Sequence, residues 1–368
     1  MKKLGVVLLS SALLLTACAV RFEKSTETND SSKVTALSDD KQKLLDKATA
    51  DYKTFVQGQI DKLLTDTEGF VQLLKDGKLE EAKKAYPLVR MAYERSEPIA
   101  ESFGVSASFL KKMNLEHKRP QLFRDFPPFP KEQLREKYTG GDIVIQACAD
   151  DEQVAFHAIR NLIRKGRNAV TLRWSQSGFA AIGDRMETPR NLFGFKDGTA
   201  NVTKEKDFDR VVWADSKDWM ENGSYMAVRR IQMFLDTWDR TNLEEQENTF
   251  GRYKESGAPF GKKNEFDEVD LSLLPDDSHV RLAKEVEKPL LRRSYSYSDG
   301  IDEKTGQFDT GLLFISFQKD PDHFVKVQTN LGATDKMNEY VTHIGSGLFA
   351  CFGGVEKGGY IGQKLLED

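Results

Sequence analysis

The sequence predicts an α+β fold in which strands and helices follow one another irregularly, preceded by an α-helical hairpin. Two observations carry this prediction. Apolar residues recur at three- and four-residue steps from about residue 45 to residue 86, which is the spacing of an amphipathic helix. Beyond residue 104, short apolar or alternating runs typical of strands are separated by helical stretches in no regular βαβ order, so a doubly wound parallel sheet is disfavoured.

Length and charge narrow the classes of function. The chain has 368 residues, of which 39% are hydrophobic, enough for about two domains with a buried core. Its formal net charge is −4, and acidic and basic residues are interleaved along the chain. A nucleic-acid-binding protein carries a basic patch or stripe. Nucleic acid is therefore not among the expected partners.

Residues 1–18 have the pattern of a lipoprotein signal peptide. Two lysines precede an apolar run that ends at Leu15, too short to span a bilayer but suited to secretion. The run Leu15-Thr16-Ala17-Cys18 resembles the bacterial lipobox, which implies cleavage before Cys18 and lipid attachment to its sulfur. An ordinary signal peptide with a chance cysteine is the alternative. Export is expected in both cases, and the lipobox places the protein on the extracytoplasmic face of a bacterial membrane.

Residues 19–38 are rich in polar residues and predict a flexible tether, and residues 39–104 predict an antiparallel helical hairpin. The first helix is expected to end at Gly77. The second is expected to carry apolar residues as far as Phe103. Three acids share a face of this second helix, which is more typical of a solvated surface than of a cation site. These acids are Glu94, Glu97 and Glu101.

The body of the chain predicts strands separated by helices. Asp142–Ala149 and Ala169–Phe179 read as strands around a helix at Asp151–Gly166. Cys148 and Cys351 lie in strand-like apolar runs and are expected to be buried thiols without a disulfide. Further strands are expected within Ser224–Asp236, Arg292–Gly300, Gly311–Gln318 and Gly345–Gly354, with helices around Leu243–Tyr253, His323–Leu331 and Lys336–Val341.

The hairpin carries a family resemblance. The stretch that begins "YKTFVQGQIDKLL" and ends "SEPIAESFG" resembles the opening of the imelysin-like domain in the lipoprotein component of the Efe-type iron-uptake system. The similarity covers roughly residues 45–104. That domain's His-x-x-Glu motif does not occur in this sequence, so no iron ligand is carried over.

A second resemblance covers residues 105–368. The stretches "GGDIVIQACADDEQVAFHAIRNL", "TPRNLFGFKDGTAN", "DSHVRLA", "LLRRSYSYSDG" and "GLLFISFQKDP" occur in the order found in dye-decolorizing-type (Dyp) haem peroxidases and deferrochelatases of the Efe system. The resemblance implies ferredoxin-like antiparallel sheets, haem b as cofactor, and hydrogen peroxide with a reducing co-substrate. The family's opening strands are not recognisable here, so we expect an incomplete first half that exposes a sheet edge and an apolar face.

The same resemblance assigns roles to particular residues. His279 of "DSHVRLA" is the expected proximal ligand of the haem iron, with packing as the alternative. Asp197, between Gly194 and Gly198 in "GFKDG", is the expected catalytic acid–base, and the two glycines are expected to belong to the haem-binding turn. An Asp-Gly turn is the simpler explanation of this stretch, and the two are compatible. Arg292 is the expected catalytic arginine, with Arg293 as the fallback.

Chemistry supports these residue types. Peroxide must lose a proton from one oxygen while negative charge gathers on the other, which a carboxylate and a guanidinium can assist. The ligand imidazole needs a hydrogen-bond acceptor for its other nitrogen, and Asp309 and Asp320 are both candidates. Several aromatic residues could relay electrons, although core packing is their more common role. They are Tyr295, Tyr297, Trp174, Trp213, Trp219 and Trp238.

Two functions follow. The first is a surface-anchored haem peroxidase that uses hydrogen peroxide and serves iron or haem uptake, with permease components of that system as further candidate partners. The second is a non-catalytic haem- or iron-binding lipoprotein, derived from an incomplete fusion of two iron-uptake components.

Overall fold

The structure, a computed structural model, describes residues 61–86, 102–180, 188–303, 305–355 and 359–367, with the single positions 54, 58 and 89. The predicted signal peptide with Cys18, the tether, and the acids Glu94, Glu97 and Glu101 lie outside the described residues. Within the described ranges, none of the helices combines the length and apolar composition that crossing a bilayer requires.

The centre of the fold is an antiparallel sheet of seven strands within the described residues, in the order β2-β1-β7-β3-β6-β4, with β5 also paired to β6. The predicted α+β class is confirmed. In chain order the strands are β1 (Ser102–Val105), β2 (Ile143–Gln146), β3 (Ser224–Met233), β4 (Leu291–Arg292), β5 (Tyr295–Ile301), β6 (Phe308–Gln318) and β7 (Val341–Cys351).

Strands β3 to β7 form a ferredoxin-like unit. The long strand β3 lies between β6 and β7 and pairs with both over most of its length. Strands β4 and β5 extend the sheet on the far side of β6. The two short strands β1 and β2 are added at the opposite edge, where β1 pairs with β7. The part of the chain before residue 188 therefore supplies only the last two strands on one side of the described sheet.

Helices cover this sheet and the loops at its ends. The first two, α1 over residues 61–75 and α2 over residues 79–86, meet at a turn around Gly77, as predicted for the hairpin. The others are α3 (Ala107–Lys112), α4 (Glu152–Gly166), α5 (Glu205–Val211), α6 (Leu235–Asp239), α7 (Leu243–Phe250), α8 (His279–Glu285), α9 (Pro321–Thr334) and α10 (Gln363–Glu367).

The end of the predicted hairpin was wrong. Phe103, expected on a helix face, lies in β1, where it pairs with Ile145 of β2. Because β1 is hydrogen-bonded to a strand on each side, sheet pairing overrides the helical spacing of the sequence.

The strand predicted at Ala169–Phe179 was also wrong. Residues 170–178 form no ladder, and Phe179 makes a single bridge to Ser296. The indole nitrogen of Trp174 donates to the carbonyl of Gly140 at 2.9 Å, which ties the segment to a loop. Alternating apolar residues become a strand only when they pair with another strand, and no described strand forms a ladder with residues 170–178.

The core packs on both faces of the sheet. On one face, Met226 and Val228 of β3 join Leu313, Ile315 and Phe317 of β6. On the other, Ala227 of β3 packs with Phe129 and with Phe324 of α9. Helix α9 therefore covers the face on which the candidate site is built.

The two described cysteines behave differently from one another, and they form no disulfide. Cys351 is buried in β7 as predicted, and burial raises the pKa of its thiol to about 12. Cys148 was expected to be buried but is only half-buried, with its sulfur 3.1 Å from the hydroxyl oxygen of Tyr295.

Candidate active site

Asp197 projects from a tight loop that is anchored by aromatic side chains. The side-chain oxygen of Asn191 accepts hydrogen bonds from the backbone nitrogens of Phe193 and Phe195. Both rings are buried, and that of Phe195 stacks on Phe250 at 3.9 Å between centroids. The backbone nitrogen of Asp197 donates to the carbonyl of Pro189 at 2.8 Å, which closes the loop and fixes where the carboxylate begins.

Gly194 and Gly198 serve this loop through their backbone conformations. Their φ angles are +81° and +140°, a region that disfavours any residue with a Cβ atom. A Cβ at Gly194 would also lie 2.9 Å from the Cε atom of Lys254. The geometry explains both glycines without a ligand, so their contact with a cofactor stays a prediction.

Asp197 and Arg292 form an ion pair, with 2.7 Å between Oδ1 and Nη1. The two side chains are 23% and 29% exposed, so a small molecule can reach both. The other carboxylate oxygen of Asp197 has a long contact, 3.5 Å, with the amide nitrogen of Asn191. Arg293, the fallback, hydrogen-bonds to Tyr295 instead.

Asn201 holds Arg292 in place, a role that the sequence did not reveal. Its amide nitrogen donates to the carbonyl of Arg292 at 2.7 Å, and its amide oxygen accepts from the backbone nitrogen of Arg292 at 2.8 Å. This reciprocal pair fastens the segment that carries Asp197 to strand β4. Asn201 therefore helps to fix the position of Arg292 relative to Asp197.

His279 is the first residue of α8. Its Nδ1 atom lies 2.7 Å from Oδ2 of Asp335, whose side chain is 3% exposed. Asp335 is fixed in turn, because its Oδ1 accepts from the backbone nitrogen of Met337 at 2.8 Å. The contact to Nδ1 leaves Nε2 as the ring nitrogen available to a metal, and 36% of the His279 side chain is exposed.

Three charges act on the imidazole. Desolvation lowers the pKa of His279, but the charge and hydrogen bond of Asp335 outweigh it, so the net shift is upward. The charges of Arg292 and Asp197 also reach the ring, lowering and raising its pKa respectively. The structure thus places the Asp197–Arg292 ion pair within electrostatic range of His279.

The predicted partners of His279 were wrong. Asp309 accepts hydrogen bonds from the buried guanidinium of Arg230, and Asp320 caps the start of α9 by accepting from the backbone nitrogen of Asp322. The actual partner, Asp335, is 56 residues from His279 in the sequence. A carboxylate just after α9 is the only sequence signal, and it is equally typical of a capping residue.

The face of β6 on which Arg292 lies is apolar. Arg292 pairs with Ser316, and residues paired across antiparallel strands share a face, as do alternate residues along a strand. Phe314 and Leu312 therefore lie on the face of Arg292, where both are only half-buried although β6 is an interior strand. Leu312 packs against the cluster that contains Phe193 and Phe195.

This arrangement fits haem. An imidazole with a free Nε2 and a carboxylate-bound Nδ1 suits an iron ligand. Half-buried Phe314 and Leu312 offer an apolar surface to a flat ring, and Asp197 with Arg292 supplies the polar groups that peroxide chemistry requires.

Comparison with known proteins identifies the same chemistry. Residues 188–356 match the model for the Dyp-type peroxidase C-terminal region, and residues 35–180 match the model for the N-terminal region. The second match overlaps the helical hairpin, whose similarity to an imelysin-like lipoprotein stays a prediction. The matches cover both the candidate site and the edge strands β1 and β2.

Individual relatives agree. A dye-decolorizing peroxidase of Thermobifida fusca is 38% identical over 287 residues, covering 72% of this chain and 66% of that protein. A deferrochelatase of Escherichia coli O157:H7 is 40% identical over 281 residues, covering 70% and 66%. Ferric DtpA from Streptomyces lividans is similar in structure, with a TM-score of 0.69 and 38% identity over 73% of this chain and 77% of that one. The chain thus spans just under two-thirds of these two curated relatives.

Proposed function

Since this chain belongs to the Dyp-type peroxidase family, whose cofactor is haem, we propose that it is a haem-dependent peroxidase that reduces hydrogen peroxide with electrons from a second substrate. The observation that carries the proposal is an Asp197–Arg292 ion pair within electrostatic range of His279, an imidazole whose Nδ1 is held by Asp335. Relatives named as peroxidase and deferrochelatase support it.

The chain's own groups have separate roles. Bound haem supplies the iron at which the O–O bond of peroxide is cleaved. Nε2 of His279 would hold that iron, and Asp335 accepts a hydrogen bond from Nδ1–H, which makes the imidazole a stronger electron donor to the metal. This contact also fixes the orientation of the ring.

At the bound peroxide, Asp197 would move a proton and Arg292 would stabilise charge. The carboxylate takes the proton from one peroxide oxygen and returns it to the departing oxygen, which leaves as water. The guanidinium donates hydrogen bonds to the negative charge that develops, without losing its own proton. The two groups are paired at 2.7 Å, which leaves no room for a molecule between them. Peroxide must therefore separate the pair or bind beside it.

One experiment tests the assignment. The chain is expressed with haem available, and its absorption spectrum and peroxide-dependent dye oxidation are measured beside the His279→Ala variant. We expect a Soret band and turnover in the wild type and the loss of both in the variant. Identical spectra from the two proteins would refute the assignment.

A second candidate is a haem-binding protein that does not turn over. It is favoured by helix α4, where no residue is buried, and by residues 170–178, which pair with no strand. A first half that covers the haem poorly would bind cofactor without protecting the reaction from solvent. Tight haem binding without dye oxidation would support this candidate, and sustained turnover would exclude it.

We also propose that the protein is exported and held on the outer face of a bacterial membrane by lipid on Cys18, where it serves iron or haem uptake with permease components. The apolar run before Leu15-Thr16-Ala17-Cys18 supports the anchor, and the similarity to a deferrochelatase supports the link to iron. Fractionation tests it: Cys18→Ser should move the protein from the membrane fraction to the soluble one. Retention of Cys18→Ser in the membrane would refute lipid anchoring.

A further inference from the structure

Glu265 is a buried carboxylate outside the predicted site, and its partners all come from one segment. Only 8% of its side chain is exposed. Oε2 accepts from Nζ of Lys196 at 2.8 Å, and Oε1 accepts from the hydroxyl of Thr199 at 2.8 Å. The side chain of Thr188 donates a third hydrogen bond.

These three donors bracket Asp197 along the chain. Lys196 directly precedes it, Thr199 follows two positions later, and Thr188 stands at the start of the same loop. Among the described residues, the side chain of Glu265 is hydrogen-bonded to neither Asp197 nor Arg292. One buried anion therefore fixes the loop on both sides of the acid without touching it.

Glu265 is itself rigidly held. Nη1 of Arg252 donates to the backbone carbonyl of Glu265 at 3.0 Å and to that of Gly257 at 2.6 Å. A Cβ at Gly257 would lie 2.8 Å from Cδ of Lys196, so the backbone closes tightly over the ion pair. Burial raises the pKa of Glu265, but its hydrogen bonds from Lys196, Thr188 and Thr199 prevail and leave the pKa below its ordinary value.

We infer that Glu265 is a positioning residue that sets the location of Asp197, and through it the peroxide-handling geometry, by clamping Lys196, Thr188 and Thr199. The inference rests on the proposed peroxidase function for its catalytic consequence. Its structural part, that the Asp197 loop depends on Glu265, stands independently.

The test compares Glu265→Gln with Glu268→Gln, which removes an exposed carboxylate three residues away. Glutamine keeps the shape of Glu265 but removes the charge and replaces one acceptor oxygen by a donor. The ion pair with Lys196 is lost, and Lys196 and the Thr199 hydroxyl no longer each have their own acceptor oxygen. We expect the kcat/KM for hydrogen peroxide to fall at least about tenfold in Glu265→Gln, since misplaced catalytic groups lose efficiency steeply. The KM for the reducing dye and the Soret maximum should stay as in Glu268→Gln.

A second readout needs no turnover and no haem. In the apo chain, the amide of Asp197, which donates to Pro189, should exchange with solvent faster in Glu265→Gln and unchanged in Glu268→Gln. Equal exchange in both variants would overturn the inference. So would faster exchange accompanied by an unaltered kcat/KM for peroxide in an active enzyme.

The two proposals fail differently. If the wild-type chain binds haem but does not turn over, the peroxidase assignment fails and cyanide affinity replaces the kinetic arm. In the proposed site, cyanide bound to ferric haem would lie beside Asp197 and Arg292, so weaker binding in Glu265→Gln than in Glu268→Gln would support the inference. Equal affinities would refute it. If the wild type binds no haem, hydrogen exchange at Asp197 decides alone.

Discussion

The part of the chain after residue 188 and the part between residues 152 and 180 are built very differently. In the first, β3, β6 and β7 are almost wholly buried, and the candidate site residues lie on the Asp197 loop, β4 and α8 beside them. In the second, α4 is amphipathic over 15 residues yet buries none of them, and Val170, Leu172 and Phe179 are exposed. The contrast shows that the three residues of the site are held by the later part of the chain, while the earlier part exposes apolar side chains to solvent.

The largest effect is expected at His279. His279→Ala should abolish the shift of the haemin Soret band that mixing with stoichiometric protein produces, because the imidazole held by Asp335 is lost. The matched control is His157→Ala, on exposed α4, which should leave the spectrum unchanged. A spectrum lost in His157→Ala instead would transfer the cofactor site to the earlier part of the chain.

Asp197→Asn should lower kcat/KM for peroxide by about 10²–10⁴-fold, the usual contribution of a general acid–base. The amide preserves shape and can still contact Arg292, so haem affinity should change little. Stopped-flow measurement of the peroxide step checks the rate, and haemin titration checks the affinity. A variant that reacts with peroxide at the wild-type rate would remove Asp197 from the mechanism.

Asp335→Asn should weaken haem affinity or activity by about 10–100-fold, as expected when the hydrogen-bond partner of a metal-bound histidine is altered. Asp309→Asn serves as the comparison, because Asp309 binds Arg230 rather than His279. Haemin titration and turnover numbers distinguish them. A change in the haem spectrum in Asp309→Asn but not in Asp335→Asn would indicate that Asp309 is the partner of His279, as the sequence suggested.

Acid should destabilise the apo chain partly through His343. Burial, with the nearby charge of Arg229 as a smaller cause, lowers the pKa of His343 to about 3 from 6.5. Between those values the unfolded chain binds a proton that the folded chain does not, so stability is lost as pH falls from about 6.5 towards 3. The contribution approaches about 1.4 kcal/mol per pH unit at most. Urea midpoints across this window should depend less steeply on pH in His343→Asn, and equal slopes would contradict the assignment.

The smallest effect on activity is expected on α4. Phe156→Glu, at a side chain that is 60% exposed, should leave kcat unchanged and reduce self-association measured by sedimentation velocity. Leu243→Glu is the control, since Leu243 is also exposed but lies in the later part of the chain at the first position of α7. Equal self-association of both variants and the wild type would show that the apolar surface of α4 does not mediate self-association.

Sequence patterns correctly predicted the strands that are paired and covered by neighbouring elements in the structure. The strands between Ser224 and Cys351 were predictable because their apolar runs are covered on both sides. Residues 170–178 alternate just as clearly but pair with no described strand, and no pattern within a segment reveals whether a pairing partner exists.

The site was predictable only in part for a similar reason. His279, Asp197 and Arg292 lie in short motifs that a family resemblance can carry. Asp335 and Glu265 act across 56 and 69 residues of sequence, on His279 and Lys196 respectively, and neither lies in a recognisable motif. Contacts of that kind depend on how distant elements meet, which residue spacing does not encode.

Asp335 uses its two oxygens for different tasks: one caps the turn that follows α9, and the other holds His279. The imidazole of His279 therefore has no fixed orientation until the far end of α9 has docked. If His279 holds haem as proposed, a nascent chain interrupted before residue 335 would lack the carboxylate that orients this ring and should retain haem poorly.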